Sequence, residues 1–170
     1  MKILANKSTV IISAILTAIM GIIVMVIVDP MIDGKDGLSV IALQLSFDKT
    51  VAKSIVSTWD IEAFREWIFT DYIYAVSYVL FFTSLLLWLG KEKNVNVKWF
   101  VAIAILAGIF DWIENSLELW FLQDMDHFSS TLFFIHSVLS TLKWLALPVV
   151  LWKIVKLVKL RGYNELHMDK

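Results

Sequence analysis

Four runs of about 20 apolar residues constrain this chain more than any other feature, because a helix of that length spans the roughly 30 Å hydrocarbon core of a bilayer. They cover about 9–28, 67–89, 99–121 and 132–152. Each is too long for a core strand. Only the fourth contains a proline, Pro148, placed to bend its last turns. In lipid the backbone must satisfy its own hydrogen bonds, which a helix does alone. The expected fold is therefore all-α: a four-helix transmembrane bundle forming a single integral membrane domain over residues 1–170. Hydrophobic residues make up 59% of the sequence, against about 45–50% in soluble domains. There is no cysteine, which excludes disulfides and thiolate chemistry. A net charge of −1 gives no reason to expect nucleic acid as a partner.

The loops set the orientation. Lys2 and Lys7 precede the first run, Lys91, Lys93 and Lys98 join the second to the third, and Lys153, Lys156, Lys159 and Arg161 follow the fourth. Residues 29–66 are acid-rich, with Asp29, Asp33, Asp36, Asp48, Asp60, Glu62 and Glu66 against Lys35, Lys49, Lys53 and Arg65. Asp124 and Asp126 lie in a short loop without Lys or Arg. The positive-inside rule then puts both termini in the cytoplasm. The expected location is a cell membrane, the inner membrane of a bacterium, with multiple passes. The first run exceeds the usual 7–15 residues of a signal peptide and lacks a small-x-small cleavage site, so it is expected to be retained. Trp67, Trp88, Trp99, Trp120 and Trp152 fall near run ends as interfacial anchors. The lysines of the C-terminal tail suit contact with anionic lipid.

The first outer loop has its own pattern. Residues 39–46 are mostly apolar. Ser46 is placed to cap a helix, and Phe47, Val51, Ile55 and Trp59 recur at helical spacing. An amphipathic helix over about 46–60 is expected, either packed across the helix tops or acting as a lid.

Charges interrupt the apolar runs. Each charge in lipid costs roughly 2.5–3.5 kcal/mol even on a mild insertion scale, so such residues face a protein interior. Asp111, Glu114, Asn115 and Glu118 follow i, i+3, i+4, i+7 spacing on one helix face. With a rise of 1.5 Å per residue they sit roughly 15, 10, 9 and 5 Å below the outer end. Asp71 opens the second run, with Tyr74 and Tyr78 below it on the same face. His136, Ser140 and Lys143 stripe the fourth, and Ser13, Thr17 and Gly21 give the first a small face suited to close packing. These stripes should converge on a polar cavity in the outer half of the membrane.

Carboxylates outnumber cations there. Either some are protonated or a divalent cation completes the site. Asp71, Asp111, Glu114 and His136 are the candidate metal ligands, since zinc accepts His with carboxylates. Glu114, His136 and Lys143 are candidate catalytic groups: a base, an acid, and a cation for developing negative charge. Asp71, Tyr74, Tyr78, Asp111, Asn115 and Ser140 are candidate binding groups. Plainer readings compete. Asp111 and Lys143 can be a register-fixing ion pair, His136 a satisfied buried histidine, the tyrosines packing groups, and Glu118 a solvated interfacial acid. No HExxH, GxSxG or P-loop is present.

Leu43-Gln44-Leu45, Trp59, Asp71 with Tyr72 and Tyr78, Asp111-x-x-Glu114-Asn115 and Lys143 together resemble a set of uncharacterised bacterial four-span membrane proteins. The resemblance implies an integral membrane protein with this polar set and carries no reaction or cofactor. Three functions fit the residues. One is an enzyme acting on a lipid or other amphipathic small molecule. The second is a non-catalytic protein that binds or transports a cation, proton or lipid. The third is an accessory membrane subunit. Membrane lipid is the expected partner, with a homo-oligomer or another membrane protein as further possibilities.

Overall fold

Asn6 starts the first helix by accepting the Ser8 N–H at 3.1 Å. The computed structural model describes residues 3–33 and 39–168, with side chains to residue 159 except those of Asp33 and Ser39. Lys2, Lys35, Asp36 and the Arg161 side chain, used above to orient the chain, lie outside that description.

Helix α1 (Lys7–Ile22) runs through a π-helical segment (Ile23–Val28) into α2 (Asp29–Asp33). Two short helices follow, α3 (Ser39–Gln44) and α4 (Lys49–Val56). Three long ones complete the chain: α5 (Ile61–Glu92), α6 (Lys98–Gln123) and α7 (Ser130–Met168). No strand occurs among the described residues. Helices Lys7–Ile32, Ile61–Glu92, Lys98–Gln123 and Ser130–Lys159 are each long and apolar enough to cross a membrane. The chain is an all-α, polytopic membrane protein.

Every long helix outruns its apolar stretch, because polar ends and caps extend it. α5 begins at Asp60, which accepts the N–H groups of Glu62 at 3.0 Å and Ala63 at 3.1 Å. That is one to two turns before Trp67, where the apolar run starts. α7 continues through Pro148, which removes one backbone donor without ending the helix.

α6 packs along α5 and α7, and α1 packs along α5. The α5–α6 contact depends on Gly108: a Cβ there would lie 2.3 Å from Val79 Cγ2. The small face of α1 meets α5 as expected. Ser13 Oγ lies 3.2 Å from Ser84 Oγ, and a Cβ on Gly21 would be 3.6 Å from the Tyr74 ring. α1 and α7 make no extensive contact with each other.

Two apolar plugs close the bundle at its ends. One gathers Phe64, Trp67, Ile68, Phe121 and Phe133 with the short helices, at what is here called the loop face. The other gathers Leu86, Leu89, Ala104, Val150 and Leu157 towards the lysine-rich face. On α5, α6 and α7 alike, the polar residues fall between the two plugs.

The outer-loop helix expected over about 46–60 is present as α4, but it runs only from Lys49 to Val56 and a second short helix, α3, precedes it. α3 ends at Gln44, where the Ser46 hydroxyl donates to Leu43 O at 2.8 Å instead of capping the next helix. Phe47 takes φ 55°, a left-handed conformation that interrupts the helical run. Asp48 is the cap of α4, accepting from Thr50 N at 2.7 Å and Val51 N at 3.2 Å. Those two donors hold its carboxyl below the usual carboxylate range. The buried face is also rotated. Ala52, Val56 and Trp59 are buried, whereas Phe47 and Val51 are exposed.

Lysines tie α4 to the α6–α7 loop. Lys49 Nζ donates to the carbonyls of Asp126 and Phe128, both at 3.0 Å. Lys53 pairs with Asp126 and, through that hydrogen bond, holds the Asp126 carboxyl below its usual range. Trp67 is a second correction. It is buried against Phe64 in the core and does not serve as an interfacial anchor, because the helix starts earlier and turns it inward. Trp99, Trp120 and Trp152 are exposed.

Candidate functional site

Lys143 organises the polar layer. Its Nζ donates to Asp111 Oδ1 at 2.9 Å and lies 2.9 Å from Glu114 Oε2. The second contact is an ion pair. Tyr78 OH donates to the other Asp111 oxygen at 2.7 Å, so α5, α6 and α7 meet at one carboxylate. Asn115 Nδ2 donates to Asp71 Oδ2 at 3.0 Å, a second α5–α6 link. His136 Nε2 sits 3.1 Å from Glu118 Oε1, joining α6 to α7. Asp71, Asp111, Glu114, Asn115, Glu118, His136 and Lys143 are all buried. The i, i+3, i+4, i+7 stripe therefore faces inward as its cost in lipid requires. Glu118, which the sequence allowed to be a solvated interfacial acid, is buried at 1% exposure.

A cavity of about 240 Å³ lies in the slot between α1 and α7. Asp71, Tyr74, Tyr78, Asp111 and Lys143 form its polar wall. Phe81, Phe82, Leu147 and Leu151 continue it as an apolar wall towards the lysine-rich face. Met25, Trp144 and Leu151 line it while remaining exposed on the bundle surface, so the slot opens sideways to the surroundings of the helices. α3 roofs it with Val40, Ile41 and Gln44. Gln44 is buried, and its Oε1 accepts from Trp144 Nε1 at 3.1 Å. That bond ties the roof to α7.

The structure thus separates the sequence-predicted residues into two groups. Asp71, Tyr74, Tyr78, Asp111 and Lys143 reach the cavity. Glu114, Asn115 and His136 stand outside the cavity lining, in the layer packed beside it. Ser140 joins neither group through its side chain, because its hydroxyl donates to His136 O at 2.9 Å. Tyr74 meets Tyr78 edge-on with ring centroids 5.6 Å apart.

Three lining residues with polar groups were not among the candidate site residues: Asp29, Trp144 and Gln44, the last named only within Leu43-Gln44-Leu45 of the resemblance. Gln44 carried a visible signal, a lone amide in the apolar stretch 39–46. Asp29 follows the π-helical segment, whose i→i+5 bonding includes Asp29 N–H to Val24 O. Such a segment shifts the face of every later residue, and α-helical periodicity does not register it. No family model, curated protein or solved structure matches this chain.

Proposed function

We propose that this protein takes an amphipathic molecule, a lipid or lipid-like compound, from the outer leaflet and acts on its polar head. The observation that carries this reading is the division of the α1–α7 slot. A charged wall built on Asp71, Asp111 and Lys143 lies under the α3 roof, and the wall of Phe81, Phe82, Leu147 and Leu151 lies beyond it. Small-molecule sites combine mostly apolar walls with a few placed polar groups. A slot open to the side admits a molecule that never leaves the bilayer.

In this reading Asp71 and Lys143 meet the head group first. Lys143 supports developing negative charge while Asp111 and Tyr78 hold it in place. Glu114, in ionic contact with Lys143, is the base-side reserve behind it. The loop face is the outer face and both termini are cytoplasmic, as the lysine distribution requires. The protein resides in the inner membrane of a bacterium, in keeping with the four-span proteins it resembles.

The test is native mass spectrometry of protein purified in mild detergent, beside Leu147→Trp, which fills the apolar wall. A bound amphipath near one per chain in wild type and lost in Leu147→Trp is expected. Equal lipid content in the two proteins would overturn the reading.

A further inference from the structure

Outside the cavity lining, Glu114, Glu118 and His136 bring one ligand atom each within 4.8 Å of one another. All three are essentially inaccessible, at 0%, 1% and 1% exposure. Two come from successive turns of α6, at i and i+4, and the third crosses from α7. Buried polar atoms nearly always find partners, yet here they do not. Glu114 Oε1, Glu118 Oε2 and His136 Nδ1 have no hydrogen-bond partner. One unsatisfied atom in a buried layer is tolerable. Both carboxylates of the cluster carry such an oxygen, and His136 turns Nε2 towards Glu118, so a cation among the three side chains would supply the missing partner of the carboxylates.

Charge balance points the same way. Among the described residues Asp29, Asp71, Asp111, Glu114 and Glu118 are five buried carboxylates, against one buried lysine, Lys143. Lys143 is already committed to Asp111 and Glu114. Among the described residues Glu118 has His136 alone within ion-pair reach. A dication beside Glu118 would offset this excess without asking His136 to carry a charge.

We propose that Glu114, Glu118 and His136 bind one divalent transition-metal ion. The donor set selects its class. Imidazole with carboxylate oxygens and no sulfur suits zinc and its first-row neighbours, whereas calcium and magnesium prefer oxygen alone. Ligands at about 2.1 Å on a tetrahedral ion stand about 3.4 Å apart, so closure from the observed spacing asks for side-chain shifts of about an ångström. Glu114 would then join two centres, with one oxygen by Lys143 at the cavity wall and the other at the metal. The site shares Glu114 with the amphipath reading through the Lys143 ion pair, but none of its three ligands lines the cavity, so zinc binding and amphipath binding are read separately.

The test is zinc binding by chelator-stripped protein in mild detergent, followed by equilibrium dialysis against zinc alone. One zinc per chain is expected. Glu118→Gln and His136→Gln should each weaken it by more than about 100-fold, the upper end for loss of merely outer-shell partners. Asp71→Asn, in the cavity, should bind zinc as wild type does. Cobalt(II) loaded into wild type should give the visible absorption of a low-symmetry four-coordinate ion, a readout that needs no variant to fold. Wild type that holds no zinc, shows no cobalt spectrum, or binds equally well without Glu118 and His136 overturns the site.

Discussion

Replacing Lys143 with methionine strips the buried ammonium from a layer built around it. Its side chain is 6% exposed, and those of Asp111 and Glu114 are 3% and 0%, so solvent does little to screen what remains. Removing one partner of a buried pair costs about 3–5 kcal/mol, because the other charge is left uncompensated. Here two carboxylates lose the same cation, which places Lys143→Met at the upper end of that range. A helical protein of this size loses about 2–4 °C of midpoint per kcal/mol. The thermal midpoint in mild detergent, followed by far-ultraviolet circular dichroism, should therefore fall by about 10–20 °C. Adding Asp111→Asn and Glu114→Gln removes the orphaned charges and should restore most of the loss, since a whole buried network is often replaceable at small cost. Lys143→Met within about 1 kcal/mol of wild type, the worth of a solvent-exposed pair, would refute the geometry of the layer.

Gly108→Ala places a Cβ 2.3 Å from Val79 Cγ2, so it should destabilise by about 1–3 kcal/mol, as overpacking does; Val79→Ala in the same chain should relieve it. At the loop face, Asp126 and Asp124 have carboxyls held below their usual range, by Lys53 and by the His127 backbone N–H respectively. A depressed folded value means that their stabilisation is complete above an unfolded value of about 3.9 and is lost as pH falls through the lower folded one. Hydrogen exchange in α4 should accelerate only under that acid condition, and Asp126→Asn should exchange fast at neutral pH as well. Because the chain has no cysteine, single cysteines at Asp126 and Asn94 report orientation: a membrane-impermeant thiol reagent should label intact cells at the first and not at the second.

The sequence made legible what a continuous helix determines. Run length produced the four spans, and i, i+3, i+4, i+7 spacing put Asp111, Glu114, Asn115 and Glu118 on one buried face. Convergence with Lys143 and His136 followed from the cost of charge in lipid. What depends on tertiary packing was not legible. Phe47's left-handed turn separates α4 from α3, and the roof of the cavity falls to α3, the stretch without an amphipathic pattern. The π-helical segment swings Asp29 into the cavity lining. Periodicity fixes the face a residue occupies on its own helix but not the gap between helices. The sequence therefore gathered Glu114 and His136 with Asp71 in one site, where packing puts the first two outside the cavity lining.

Occupation of the α1–α7 slot is tested most directly by site-specific photocrosslinking in membranes. A photoreactive residue at Phe82, on the apolar wall, is compared with one at Ile113 in the separate apolar groove between α5 and α6. Capture at Phe82 should be saturable by an unlabelled amphipath and abolished by Leu147→Trp, while capture at Ile113 should follow bulk lipid unchanged. Equal, unsaturable capture at both positions would mean that the slot is ordinary lipid-facing surface, and the proposed function would fall with it.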